Sequence, residues 1–227
     1  IENRISLLLS IDSPKLLKFA KEYINNPYIE LDHEKVILRN MLYYTFYDNT
    51  PTKLGLGSIN EGLIRLFKNE YFKKEILEIL DILYENINCI PKNNSYEFVC
   101  PLEVYCTYTK SQILAGLEYY KENFYGPMLE GVKYFKDREF NTFFITLNKS
   151  DKDFSEATLY EDYAINDELF HWETQNSATQ DSKVVKRYIN SNGRVSLFVR
   201  ENKKENGVTS PYIYLGECEY VSHEGNK

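Results

Sequence analysis

"RVSLFVRENKKENGVTSPYIYLGE", residues 194–217, decides the fold class. Two runs rich in β-branched and aromatic residues surround a polar loop with Asn206-Gly207 at its turn, the pattern of a β-hairpin. Working outward, "LEVYC" (102–106), "TFFITL" (142–147), "LFHWETQ" (169–175) and "CEYV" (218–221) have the same strand character. Only two helices interrupt them with any clarity. One starts at Thr109, where a capping box with Gln112 is expected, and the other at Ser182 ahead of "KVVKRYI". About six short strands with one or two helices predict an α+β domain built on a small, curved β-sheet or barrel.

Upstream the period changes from two to about 3.6. Asp12-Ser13-Pro14 supplies a cap residue and a first-turn proline before "KLLKFAKEYI", in which Leu16, Leu17, Ala20 and Ile24 share a face. Asp32 precedes a second helix, "HEKVILRNMLYYTF". Ser58 opens a third as the "SINE" capping box, with Glu61 facing the Ser58 hydroxyl. Ile76, Ile79, Leu80 and Leu83 recur at helical spacing in a fourth. These predict an N-terminal helical bundle over residues 1–90, a turn-rich linker at "IPKNNSYEF" (90–98), and the β domain over 98–227.

Composition narrows the function classes. A chain of 227 residues that is 43% hydrophobic buries a real core, and no apolar run reaches the roughly 20 residues of a membrane span. No membrane partner is expected. The chain opens on Ile1 rather than methionine, so a piece of a longer protein is expected. Cys89, Cys100, Cys106 and Cys218 fall at irregular spacings without a C-x-x-C pair, and three histidines are scattered, so no metal site is expected. Four cysteines are too few for a disulfide scaffold, which suits a reducing interior, the cytoplasm.

Net charge is −7, with 12 basic and 14 acidic residues up to Cys100 and 15 and 20 after it, so neither half carries the basic excess of a generic phosphate binder. Any DNA recognition must be local and shaped. "GLGSINEG" (55–62) has the glycines of a phosphate loop but lacks its lysine and its preceding strand, and no cofactor is expected. Nucleophile elbow, H-E-x-x-H pair and zinc-deaminase spacing are all missing. The chain itself is not expected to be an enzyme.

What remains is "TLYEDYAINDELFHWETQN" (158–176), which holds the only tryptophan. If "LFHWETQ" is a strand, Phe170, Trp172 and Thr174 share one face, with Leu169, His171, Glu173 and Gln175 on the other. Tyr160 and Tyr163, three apart, share a face if their segment is helical, with Asp162 beside them. Flat rings and a carboxylate are what a pocket for a planar base requires. A core role for Trp172 and a solvated one for Asp162 compete with this. "NKSDKDFS" (148–155) offers Asn148, Lys149 and Ser150 to a phosphate, against the alternative of a solvated loop.

"FFITLNKSDKDFSEATLYEDYAINDELFHWETQN", then "GRVSLFVRENKKENG" and "YVSHEG", resembles the C-terminal domain of unknown function carried by bacterial superfamily-two helicases with a phospholipase-D-like nuclease domain. Type IV, modification-dependent restriction enzymes share that architecture. The likeness runs from about Phe98 to the end. It implies a domain similar to the SRA/PUA-like readers of methylated cytosine, which swing the modified base out of the duplex. Its partners would be double-stranded DNA carrying modified cytosine and the helicase and nuclease domains of the same parent chain. The parent would be an NTP-driven modification-dependent endonuclease, with the helical part joining reader to motor. In that setting Trp172 and one or both of Tyr160 and Tyr163 stack on the base, Asp162 accepts from cytosine N4, and Thr174 or Gln175 serves another edge atom.

Two other classes compete. A protein-interaction module coupling motor to nuclease predicts oligomers, a homodimer among them, and no effect of methylation. A DNA-cleaving enzyme using His171 with Glu173 or Asp162 predicts hydrolysis by this chain alone.

Overall fold

The structure, a computed structural model, describes residues 2–128, 131–149, 162–174, 181–190 and 195–224. The chain forms two compact units, Ile1–Met128 and Leu129–Lys227. The stretch expected to be a linker, 90–98, runs inside the first of them.

The first unit holds α1 (Glu2–Ile5), α2 (Pro14–Asn25), α3 (His33–Phe46), α4 (Ile59–Leu66) and α5 (Glu70–Glu85). The short strands β1 (Lys92–Asn93), β2 (Glu103–Val104) and β3 (Thr107–Tyr108) follow, then α6 (Lys110–Gly116). β1 and β2 pair antiparallel. α3 is the central helix, and its C-terminal half is buried all round: Met41, Leu42, Tyr43, Tyr44, Thr45 and Phe46, with Ile37 and Leu38 buried one turn earlier. Its C-terminal carbonyls are not left bare, because the Arg4 guanidinium donates to Tyr44 O at 2.7 Å and Thr45 O at 3.2 Å.

The helix starts follow the caps read from sequence. Ser13 and Asp32 accept from Leu16 N and Lys35 N. Thr109 and Gln112 complete a reciprocal capping box. At Ser58 only half of one forms: its hydroxyl accepts from Glu61 N, but the Glu61 carboxylate turns one residue upstream to Gly57 N.

The second unit contains β4 (Val132–Phe135), β5 (Phe140–Asn148), β6 (Tyr163–Ala164), β7 (Phe170–His171) and α7 (Lys183–Asn190). It ends with β8 (Val195–Asn202), β9 (Lys204–Glu205), β10 (Val208–Thr209) and β11 (Tyr212–Cys218). Its main strands lie side by side in the order β11-β8-β5-β4. β5 and β8 are parallel, while β4–β5 and β8–β11 are antiparallel. The α+β class is therefore as expected, but the barrel is not: β4 and β11 do not pair, and no closed barrel forms among the described residues. "CEYV" is not a strand of its own, since Cys218 ends β11 and the following residues are irregular. β4, in "GVKYFKDREF", was not foreseen.

The opening stretch folds as read. Asn206 and Gly207 sit at φ 51° and 83°, the two left-handed positions of a tight hairpin turn between β9 and β10. Central β5 is buried on both faces. One face carries Phe143 and Ile145 with Leu197, Val199 and Tyr188, and packs against Phe170 and Trp172. The other stacks Phe144 on Phe198 and Phe198 on Tyr214. Among the described residues no helix is long and apolar enough to cross a membrane.

Candidate functional site

Between parallel neighbours β5 and β8 the chain must cross over, and the described part of that crossing is the β6–β7 hairpin followed by α7. The hairpin is small. Tyr163 pairs with His171 and Ala164 with Phe170, and Asn166 Oδ1 closes the turn by accepting from Glu168 N at 2.8 Å and Leu169 N at 2.9 Å.

Its base is held by charge. Lys149, just past β5, and Asp162, just before β6, form an ion pair at 2.6 Å with side chains only 8% and 3% exposed. The other carboxylate oxygen of Asp162 accepts from Glu173 N at 3.0 Å. Asp162 thus ties together the exit of β5 and both ends of the hairpin. This is a structural use of the carboxylate, with both oxygens occupied, and it removes the Lys149 ammonium from phosphate contact.

The two faces of the hairpin separate as alternation demands, although the strand covers only Phe170–His171 of "LFHWETQ". Phe170 and Trp172 pack inward, and the Trp172 ring lies 4.1 Å from Phe143 and meets Tyr188 edge-on at 5.5 Å. Outward, Tyr163 is 50% exposed and stacks on His171 with ring centroids 4.8 Å apart and planes inclined by 28°. Tyr163 lies on a strand, so the helical pairing with Tyr160 does not apply to it. The Thr174 hydroxyl is buried and has no hydrogen-bond partner among the described residues. Asn148 reaches across to Asn202, its register partner on β8, at 3.1 Å. Ser150, Tyr160 and Gln175 lie outside the described residues.

Two features escaped the sequence reading. Asn141 on β5 is completely buried, and neither its amide nitrogen nor its oxygen has a hydrogen-bond partner among the described residues. Nothing in "REFNTFF" distinguishes it from an exposed strand residue. The Arg187 guanidinium lies 3.8 Å above the Tyr134 ring, on the register neighbour of Asn141. Lys186, by contrast, pairs at the surface with Asp181 at 3.0 Å.

Neither a curated protein nor a solved structure matches the chain. Residues 102–227, more than half of its length and inclusive of the sheet, α7 and the hairpin bearing Tyr163 and His171, match the family model described as Domain of unknown function (DUF3427), and the chain belongs to that family.

Proposed function

We propose that this chain recognises DNA carrying 5-methylcytosine-type bases by taking the modified base out of the duplex, in the manner of SRA-like readers. It would be the specificity part of an NTP-driven type IV restriction endonuclease whose motor and nuclease are other domains of the parent protein. The resemblance of residues 98–227 to helicase-associated domains motivates the setting. The observation that carries the chemistry is the Tyr163–His171 ring pair, exposed at Tyr163 and half-buried at His171, on a hairpin anchored by the buried Lys149–Asp162 pair.

The roles differ from those expected by composition. Tyr163 and His171 offer the outward rings, and stacking on a base contributes about 1–3 kcal/mol. Trp172 supports the hairpin from the core side, and Asp162 positions it. A methyl group contributes only about 0.8 kcal/mol by burial, so discrimination beyond several-fold rests on shape and on the cost of unstacking.

Fluorescence anisotropy on paired duplexes, identical except for 5-methylcytosine, tests this at two salt concentrations. The expected result is a methylation-dependent gain with weak salt sensitivity, abolished by Tyr163→Ala while Trp172 fluorescence is unchanged. Equal affinity for both duplexes at both salts would sink the proposal.

A second reading, a protein-interaction module, is favoured by an apolar groove in the first unit lined by Tyr23, Ile24, Leu63, Ile64 and Phe67. It predicts oligomers by light scattering and no response to methylation.

A further inference from the structure

The first unit brings three separate segments to one point. Asp12 precedes α2, Cys89 follows α5, and Cys106 lies in the β2–β3 turn, and one ligating atom from each falls within 4.8 Å of the others. The Cys89 and Cys106 sulfurs are 3.6 Å apart. Two thiolates on one tetrahedral zinc ion, each bonded at about 2.3 Å, are separated by about 3.8 Å, so the sulfurs already stand at nearly the required edge length.

The cluster is also braced. Asp12 Oδ1 accepts from Thr107 N at 2.6 Å and Oδ2 from the Thr107 hydroxyl at 2.9 Å, which fixes the carboxylate while leaving it further lone pairs. Tyr105 takes a left-handed φ of 71°, the bend that turns Cys106 inward, where it is completely buried. All four cysteines are free thiols. Burial pushes the Cys89 and Cys106 thiols above their ordinary range.

We propose that Cys89, Cys106 and Asp12 form a binding site for a thiolate-seeking divalent cation, with zinc the best fit. Two sulfurs and one carboxylate oxygen provide three ligands, and water completes the tetrahedron. Binding one ion releases two thiol protons to solvent and leaves the cysteines as thiolates. Soft sulfur ligands favour zinc over magnesium or calcium. The site ties the start of α2, the end of α5 and the β2–β3 turn together, a structural clamp in the first unit and independent of how the second unit acts.

The test is a cobalt(II) titration of the whole chain, reduced with a non-chelating phosphine and stripped of metal. Thiolate-to-cobalt charge-transfer absorption is expected to saturate at one ion per chain, to be displaced by zinc, and to disappear in Cys89→Ser and Cys106→Ser. Should either variant fail to fold by circular dichroism, alkylation of the wild-type chain provides the second readout. Zinc is expected to slow labelling of half-buried Cys89 and to leave Cys218, also half-buried, unchanged. No thiolate band at excess cobalt, or equal labelling of Cys89 with and without zinc, overturns the proposal. So does a Cys89–Cys106 disulfide that forms in air in a protein whose reduced form takes up no metal, which assigns the pair to redox chemistry.

Discussion

Lys149 and Asp162 show how burial changes what a charged residue means. In sequence they are a loop lysine and an aspartate beside tyrosines, candidates for a phosphate and a cytosine amine. In the fold they neutralise each other. Removing one partner of a buried ion pair leaves the other charge uncompensated, so Asp162→Asn or Lys149→Met is expected to destabilise the second unit by about 3–5 kcal/mol, and the double change to Leu and Met by much less. Trp172, the chain's only tryptophan, sits in that unit's core and makes urea melts followed by its fluorescence a specific reporter. The same assay checks Asn141, where a buried amide makes no hydrogen bond among the described residues. Replacing it by Leu is expected to raise stability by about 1–3 kcal/mol, because the desolvation cost of the amide disappears. A loss of stability there would mean that the amide is satisfied in solution.

At the scale of elements, caps were the most legible feature and their strengths can be ranked from context. Thr109 and Gln112 form both bonds of the box, and the Gln112 amide goes on to donate to the Thr45 hydroxyl at 2.8 Å, joining α6 to α3. Ser58 makes a single exposed bond. Thr109→Ala is therefore expected to cost about 1–2 kcal/mol and Ser58→Ala about 0.5–1 kcal/mol, measured by thermal melts of the helical circular dichroism. Equal costs would show that the reciprocal bond adds nothing. Strand lengths were less legible. "LFHWETQ" has seven residues of strand character, yet among the described ones, 169–174, only Phe170 and His171 keep ladder pairing, and Glu173 N donates to the Asp162 carboxylate.

Across the whole molecule, tyrosine gives a pH dependence that no single site would. Burial holds the Tyr43, Tyr44 and Tyr120 hydroxyls well above their ordinary 10.0, and Tyr108 also. Each contributes stability that is fully present below pH 10. As pH rises above 10.0, the unfolded chain gives up these protons while the folded chain keeps them, so unfolding becomes progressively easier. Helical circular dichroism is expected to collapse well above pH 10, in one cooperative step that coincides with the last part of the rise in tyrosinate absorption, the part that the buried rings supply. Ionisation of all twenty tyrosines with helicity intact would contradict the burial of these rings.

The sequence by itself determined what depends on neighbours along the chain. Periodicity, caps and the Asn206-Gly207 turn marked helices α2 to α7, the α+β class and strands β5, β8 and β11, because each rests on contacts a few residues apart. That Phe170 and Trp172 share one face and His171 the other followed from strand alternation; that the aromatic face turns to the core did not. Only the tertiary structure decided that β5 and β8 lie parallel, that the sheet stays open, that Asp162 belongs to Lys149, and that Cys89 meets Cys106 and Asp12. Those outcomes join residues separated by 13 to more than 90 positions. Their distances are set by how whole elements pack, and local spacing carries no trace of that.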